Sequence, residues 1–137
     1  MASSEKQLVE SFYTSEFYKD PSQVSKHFHP DAELFWNSSA GFNKMNVKDL
    51  EEICTEMAKS FEYIRPEISH LLQDDKTVTI RITFFTKTIE NPDEEIPMTH
   101  MVAIWEIKDG KMYKGYQMSQ PADDSPDNLT SFMAINL

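Results

Sequence analysis

The chain has 137 residues, 39% of them hydrophobic, including nine Phe, five Tyr, two Trp and eight Met; this is enough for one domain with its own core and argues against disorder. Thirteen basic residues against twenty-three acidic ones give a net charge of −10, which repels phosphate backbones and anionic headgroups and argues against nucleic-acid and membrane partners. The lone Cys54 cannot form an intramolecular disulfide, the opening MASSEKQLVE lacks the apolar core of a signal peptide, and no apolar run nears the roughly 20 residues of a membrane span; the expectation is a cytoplasmic protein.

Leu8, Val9, Phe12, Tyr13 and Phe17 recur at helical spacing and predict an amphipathic helix over residues 3–18, with Ser3 or Ser4 as its N-cap. Lys19-Asp20-Pro21-Ser22 breaks it, Pro21 opens a short second helix as far as Phe28, and His29-Pro30-Asp31 ends that one. Residues 32–38 are rich in strand formers, and the polar, Gly-containing residues 38–44 read as a loop. Asn46 can cap a third helix over residues 47–61, with an apolar stripe of Val47, Leu50, Ile53, Cys54, Met57, Ala58 and Phe61. Strands follow over residues 63–72 and 76–89, joined by Gln73-Asp74-Asp75, and residues 91–95 turn again. Residues 98–121 form two long strands around Lys108-Asp109-Gly110-Lys111, because Asp-Gly supplies the positive backbone angles of a tight hairpin. An acidic stretch from Ala122 to Asn128 then leads into apolar residues 129–137, expected to dock as a short helix or strand. The organisation is one domain over residues 1–121 and a tail over 122–137.

The element order implies an α+β fold in which three helices from the N-terminal half pack on the concave face of a curved, antiparallel, cone-shaped sheet. With His29-Pro30-Asp31-Ala32 before a strand and Asp109-Gly110-Lys111-Met112 between the last two, the chain resembles the nuclear transport factor 2 superfamily over roughly residues 8–121. More narrowly it resembles the SnoaL-like polyketide cyclase branch, which includes relatives of ketosteroid isomerase. The resemblance implies an apolar pocket at the mouth of the cone, in a superfamily whose functions range from isomerase and cyclase to plain binding.

Period-two alternation and the resemblance together assign the pocket lining. Thr99, Met101, Ala103 and Trp105 come from the first long strand; Tyr113, Gly115, Gln117 and Ser119 come from the second. Trp36 or Asn37 reaches in from the first strand, and Tyr13 closes the far wall. The expected ligand-binding set is therefore Tyr13, Trp36, Asn37, Thr99, Met101, Trp105, Tyr113, Gln117 and Ser119, an aromatic and thioether lining suited to a flat or polycyclic organic molecule.

Proton abstraction beside a carbonyl needs a carboxylate base and a donor for the developing oxyanion. The position resembling the isomerase base holds Asn37, or Trp36 after a one-residue slip; the position resembling its protonated-acid donor holds Ala103. Gln117 stands three before Gln120-Pro121, where a cyclase-like ending carries an acid. Amides keep hydrogen-bonding ability and lose titration, which favours holding a ligand over converting it. Tyr13 and His100 are the candidates for any catalysis, although alternation turns His100 to the opposite face unless a bulge intervenes. His27 and His29 form a His-x-His pair at a helix end, a poor metal site without a third ligand; Cys54 reads as a core residue. Neither a metal nor a cofactor is expected.

On the outer face, Phe85, Val102, Ile104, Met112, Tyr116 and Met118 lie among Thr79, Arg81 and Thr83, more apolar surface than a monomer leaves wet. A homodimer through this face is expected, with the tail as an alternative cover. Three readings follow: a small-molecule binding domain, an isomerase, cyclase or lyase with an unfamiliar residue set, and a protein-interaction module.

Overall fold

The computed structural model describes residues 4–123 and 125–132. Its elements are α1 (Ser4–Tyr13), α2 (Ser22–His27), β1 (Phe28–Ser38), β2 (Gly41–Asn46), α3 (Val47–Ser60), β3 (Phe61–Asp74), β4 (Thr77–Thr88), β5 (Ile96–Lys108), β6 (Lys111–Pro121) and α4 (Pro126–Phe132). The six strands form one sheet in the order β2-β1-β6-β5-β4-β3. Every neighbouring pair is antiparallel except β1 and β6, which run parallel. Register shifts interrupt four of the five ladders, and each such irregularity bends its strand, so this sheet curls around the helices instead of lying flat.

The helices pack against the inner face. Val9, Phe12 and Tyr13 of α1 and Val24 of α2 are buried with Phe28, Leu34, Ile80, Ile82, Phe84, Met101 and Trp105 from the strands. Phe12 sits at the centre of an aromatic cluster, stacked on Phe17 at 5.1 Å and meeting Phe28 edge-on at 4.9 Å. The α1 helix stops at Tyr13, short of the expected residue 18, because the hydroxyls of Thr14 and Ser15 bond back to the carbonyls of Glu10 and Phe12 and the chain turns there. Ser3, one of the two cap candidates, lies outside the described residues.

A capping box starts α3: Asn46 Oδ1 accepts from the Asp49 amide at 2.9 Å, and Asp49 Oδ2 accepts from the Asn46 amide at 3.1 Å. The β5–β6 hairpin turns on Asp109 (φ 55°) and Gly110 (φ 72°), the two positive angles that a two-residue loop requires.

Two expectations change. Residues 41–46 form a strand, not a loop; β2 lies at the sheet edge with nearly every residue exposed, so backbone pairing to β1 holds it and no apolar alternation announces it. The first strand begins at Phe28 instead of residue 32, with Pro30 inside it where the β1–β6 register breaks between Phe28 and Glu33.

The tail folds back over the outer face of the sheet. Arg81 of β4 donates to the carbonyl of Ser131 in α4. His100 of β5 is 3% exposed and bonds Asn128 Oδ1 of α4 at 2.7 Å. Of the apolar run that closes the sequence, residues 133–137 lie outside the described residues.

Candidate ligand-binding site

Inside the cone, between α1, α3 and the concave sheet, lies a cavity of about 140 Å³. Aromatic rings form its walls: Phe12, Tyr13 and Phe17 from α1 and the turn after it, Phe28 and Trp36 from β1, Phe84 from β4 and Trp105 from β5. Met57, Met98 and Met101 contribute thioethers, and Leu50, Ile53 and Cys54 face it from α3. No Asp, Glu, His, Lys or Arg is among the described residues that line it.

The two indoles are fixed by their N–H groups. Trp105 is 1% exposed and donates to the Tyr13 hydroxyl at 2.9 Å, and Phe28 meets its ring edge-on at 5.1 Å. Trp36 donates to Ser119 Oγ at 2.8 Å. Gly115 is what lets Trp105 lie flat on β6: a β-carbon there would stand 2.5 to 2.7 Å from three atoms of the six-membered indole ring. Burial pushes the Tyr13 phenol well above its usual range, and the bond it accepts from Trp105 pulls down by less. Tyr13 is therefore a neutral hydroxyl at any ordinary pH, a donor and never a base. Burial likewise pushes the Cys54 thiol up to about 11, with Glu51 adding to the effect, so it is a protonated wall group and not a nucleophile.

Of the residues expected at the site, Tyr13, Trp36, Thr99, Met101, Trp105 and Gln117 line the cavity together. Ser119 stands behind the lining and orients Trp36. Asn37 does not reach it: Leu34 and Trp36 take the inward positions of β1, which leaves Asn37 exposed on the other face opposite Phe42 and Met118. Tyr113 is also displaced. The register passes from Glu106 opposite Lys114 to Ile107 opposite Met112, leaving Tyr113 as the extra residue of a bulge. Its ring packs against His29 and under the ammonium groups of Lys108 and Lys114. By the same bulge Met112, expected outside, is fully buried in the core.

His100 lies on the outer face, away from the cavity. Its Nε2 faces Asn128 Oδ1, which also accepts from the Asp123 amide, and its Nδ1 meets the fully buried Thr83 Oγ1 at 2.8 Å. An acceptor at Nε2 fixes the proton there and leaves Nδ1 to take the Thr83 hydroxyl. The ring joins the tail to the sheet and cannot reach a ligand in the cone. His27 and His29 are split as well: His27 bonds the Gln23 carbonyl and Ser11, and His29 lies 3.5 Å from Asp109.

Sequence reasoning assigned Leu50, Ile53, Cys54 and Met57 to packing, yet they face the cavity; a helical stripe looks the same whether it covers side chains or a hollow. Gly115 carried no signal beyond being one of three glycines.

The profile of the SnoaL-like domain matches residues 9–114. The chain belongs to the SnoaL-like family. Comparison with curated proteins gives no significant match. Among solved structures, this SnoaL-like domain is similar to AusH from Aspergillus nidulans, with a TM-score of 0.74 at 13% identity over 91% of this chain and 89% of that one. It is also similar to IdmH, a proposed polyketide cyclase from Streptomyces antibioticus, with a TM-score of 0.69 at 13% identity over 92% and 96% of the two chains. A third is a protein with a ketosteroid isomerase-like fold from Catenulispora acidiphila in complex with trimethylamine, with a TM-score of 0.65 at 11% identity over 95% and 94%. At these identities the likeness is one of fold, and the fold is that of the ketosteroid isomerase-like proteins.

Proposed function

We propose that this SnoaL-like domain binds a small apolar organic ligand in its cone and performs no acid–base catalysis on it. The observation that carries this is the cavity wall: rings, thioethers and aliphatic groups, with no side chain that changes its protonation between about pH 5 and 9. Tyr13 supports the same reading, since a phenol held above its usual range gives hydrogen bonds and takes no protons. The size of the hollow narrows the ligand. A cavity of about 140 Å³ matches the roughly 150 Å³ apolar hole that accepts benzene in an engineered protein, so the ligand is one ring and not the polycycle suggested by the lining alone. An isomerase, cyclase or lyase would need a base that the wall lacks, and a protein-interaction module has no use for the hollow.

The domain acts, in this reading, as a cytoplasmic homodimer. Across the sheet, Phe42, Met118 and Val102 fall in one register row, and Phe35, Tyr116 and Ile104 in the next. Met118 is 67% exposed and Phe42 58%, and Tyr116 stacks on Phe35 at 5.5 Å. The described part of the tail meets this face at Arg81 of β4 and His100 of β5, and a second copy is the cover for the β1, β2 and β6 side. Native mass spectrometry of the freshly purified chain tests both statements: a dimer carrying a small neutral organic mass is expected. A ligand-free chain that takes up no monocyclic compound would refute the binding reading, and a monomer at micromolar concentration the dimer.

A further inference from the structure

Where α1 packs against α2, Ser11 and His27 form a pair that lies outside the cone, since neither lines the cavity. His27 is 9% exposed and its ring is held in place: Nδ1 lies 2.8 Å from the Gln23 carbonyl oxygen, and Phe12 meets the ring edge-on at 5.6 Å. A carbonyl only accepts, so the proton of the neutral ring sits on Nδ1 and Nε2 keeps a bare lone pair. The Ser11 hydroxyl stands 3.2 Å from that nitrogen and donates to it. Ser11 itself is exposed. Two other exposed hydroxyls in this part of the chain have no base: Thr14 donates to the Glu10 carbonyl and Ser25 to that of Ser22, and a peptide oxygen takes up no proton at ordinary pH.

We propose that Ser11 is a nucleophile which His27 activates towards esters of good leaving groups. A hydroxyl, a base within reach of it and a third group that orients the base are the parts that nucleophilic acyl transfer requires. Ser11 Oγ attacks the ester carbonyl carbon and its proton passes to His27 Nε2. The bond to the leaving oxygen then breaks, its electron pair departs with that oxygen, the proton follows from Nε2, and the acyl group stays on Ser11. Two features restrict the chemistry to activated esters. The orienting group is a carbonyl and not a carboxylate, so it supplies no negative charge to stabilise the imidazolium. The α1 helix commits its interior amides to its own hydrogen bonds, so they do not serve a developing oxyanion.

The test treats the full chain with p-nitrophenyl acetate near neutral pH and follows the acetyl group on each serine by peptide mapping in a mass spectrometer. Ser11 should be acetylated about a hundredfold faster than Ser25, the lower end of what a positioned general base contributes. Ser11→Ala should remove that acetyl group and leave labelling elsewhere unchanged. His27→Gln, whose amide takes up no proton, should bring Ser11 down to the rate of Ser25. Should this variant not fold, the ratio of Ser11 to Ser25 in the parent chain with and without urea gives the same comparison, because unfolding parts the base from the nucleophile and keeps both serines. Equal rates at Ser11 and Ser25 in the folded chain, or a Ser11 rate that survives His27→Gln or unfolding, overturns the proposal.

Discussion

Replacing Gly115 with alanine adds one methyl group, and its consequences can be worked out from the contacts. The new β-carbon would lie 2.5 to 2.7 Å from three atoms of the Trp105 ring, where carbon atoms settle at about 3.5–4.0 Å, so the indole must move by about 1 Å. It cannot do so freely: Trp105 is 1% exposed, tied to Tyr13 at 2.9 Å and wedged against Phe28. Among the described residues, the space that can yield is the cavity it lines. Overpacking of this kind costs about 1–3 kcal/mol and the strained Trp105–Tyr13 bond about 1 more, so the expected loss is about 3 kcal/mol, and ligand binding should fall with it. Urea unfolding followed by Trp emission measures the first and titration with a monocyclic probe the second. Trp105→Phe in the same background should recover part of the loss, with a coupling above about 1 kcal/mol. An alanine variant with unchanged midpoint and unchanged affinity would refute the packing argument outright.

The other expectations are simpler to check. Glu33 is held below the usual carboxylate range by hydrogen bonds first from Lys114 and then from Lys44; a depressed acid stabilises the fold above its unfolded pKa of about 4.3 and loses that contribution as pH falls below it. Glu33→Gln should therefore flatten the part of the acid-unfolding curve that lies below about pH 4, with the variant slightly less stable than the parent near neutral pH and the two curves converging at low pH; an identical acid limb in the variant would count against the assignment. Met118→Glu puts a charge at the centre of the exposed outer face, and sedimentation should show the dimer dissociating with the thermal midpoint of the monomer intact; a persistent dimer places the interface elsewhere. Cys54→Leu adds bulk to the cavity wall and should raise stability by about 1 kcal/mol while weakening probe binding at least tenfold; a destabilised variant that still binds would show that the hollow is not where the ligand sits.

Much of the architecture could be read from the chain because its signals are periodic. Asn46 marks the cap of α3, Asp109-Gly110 a tight hairpin, and the alternation from Thr99 to Trp105 assigns the inward row of β5 as the structure has it. What escaped notice depends on features without period. The bulge at Tyr113 turns Met112 inward, and nothing between Gly110 and Gly115 distinguishes a bulged from a regular strand. Edge strand β2 buries almost nothing, so Gly41 to Asn46 had no apolar pattern to offer. Asn37 could be weighed against Trp36 only after the start of β1 was set at Phe28, because one residue of slip exchanges the two faces. The tail's seat on Arg81 and His100 is a matter of single polar contacts, invisible to patterning.

The stability cost of the cavity bears on whether it is functional. At roughly 24 cal/mol per Å³ of unfilled volume, a hollow of about 140 Å³ costs about 3 kcal/mol, a substantial part of the roughly 5–15 kcal/mol that holds a domain together. The chain spends hydrogen bonds on keeping the walls in place rather than letting them collapse: Trp36 is braced by Ser119, Trp105 by Tyr13, and Gly115 clears the ground beneath the second indole. Collapse would be easy by substitution, since Leu50, Ile53 and Met57 on α3 are only half-buried and larger side chains there could fill the space. A braced, uncharged hollow is what a binding site for a neutral ring requires, and it is also what simple packing would remove first. A carboxylate at Gln117, on a wall shared with two indoles and three thioethers, would be driven toward its protonated form by burial, whereas an amide there keeps its hydrogen-bonding capacity at every pH.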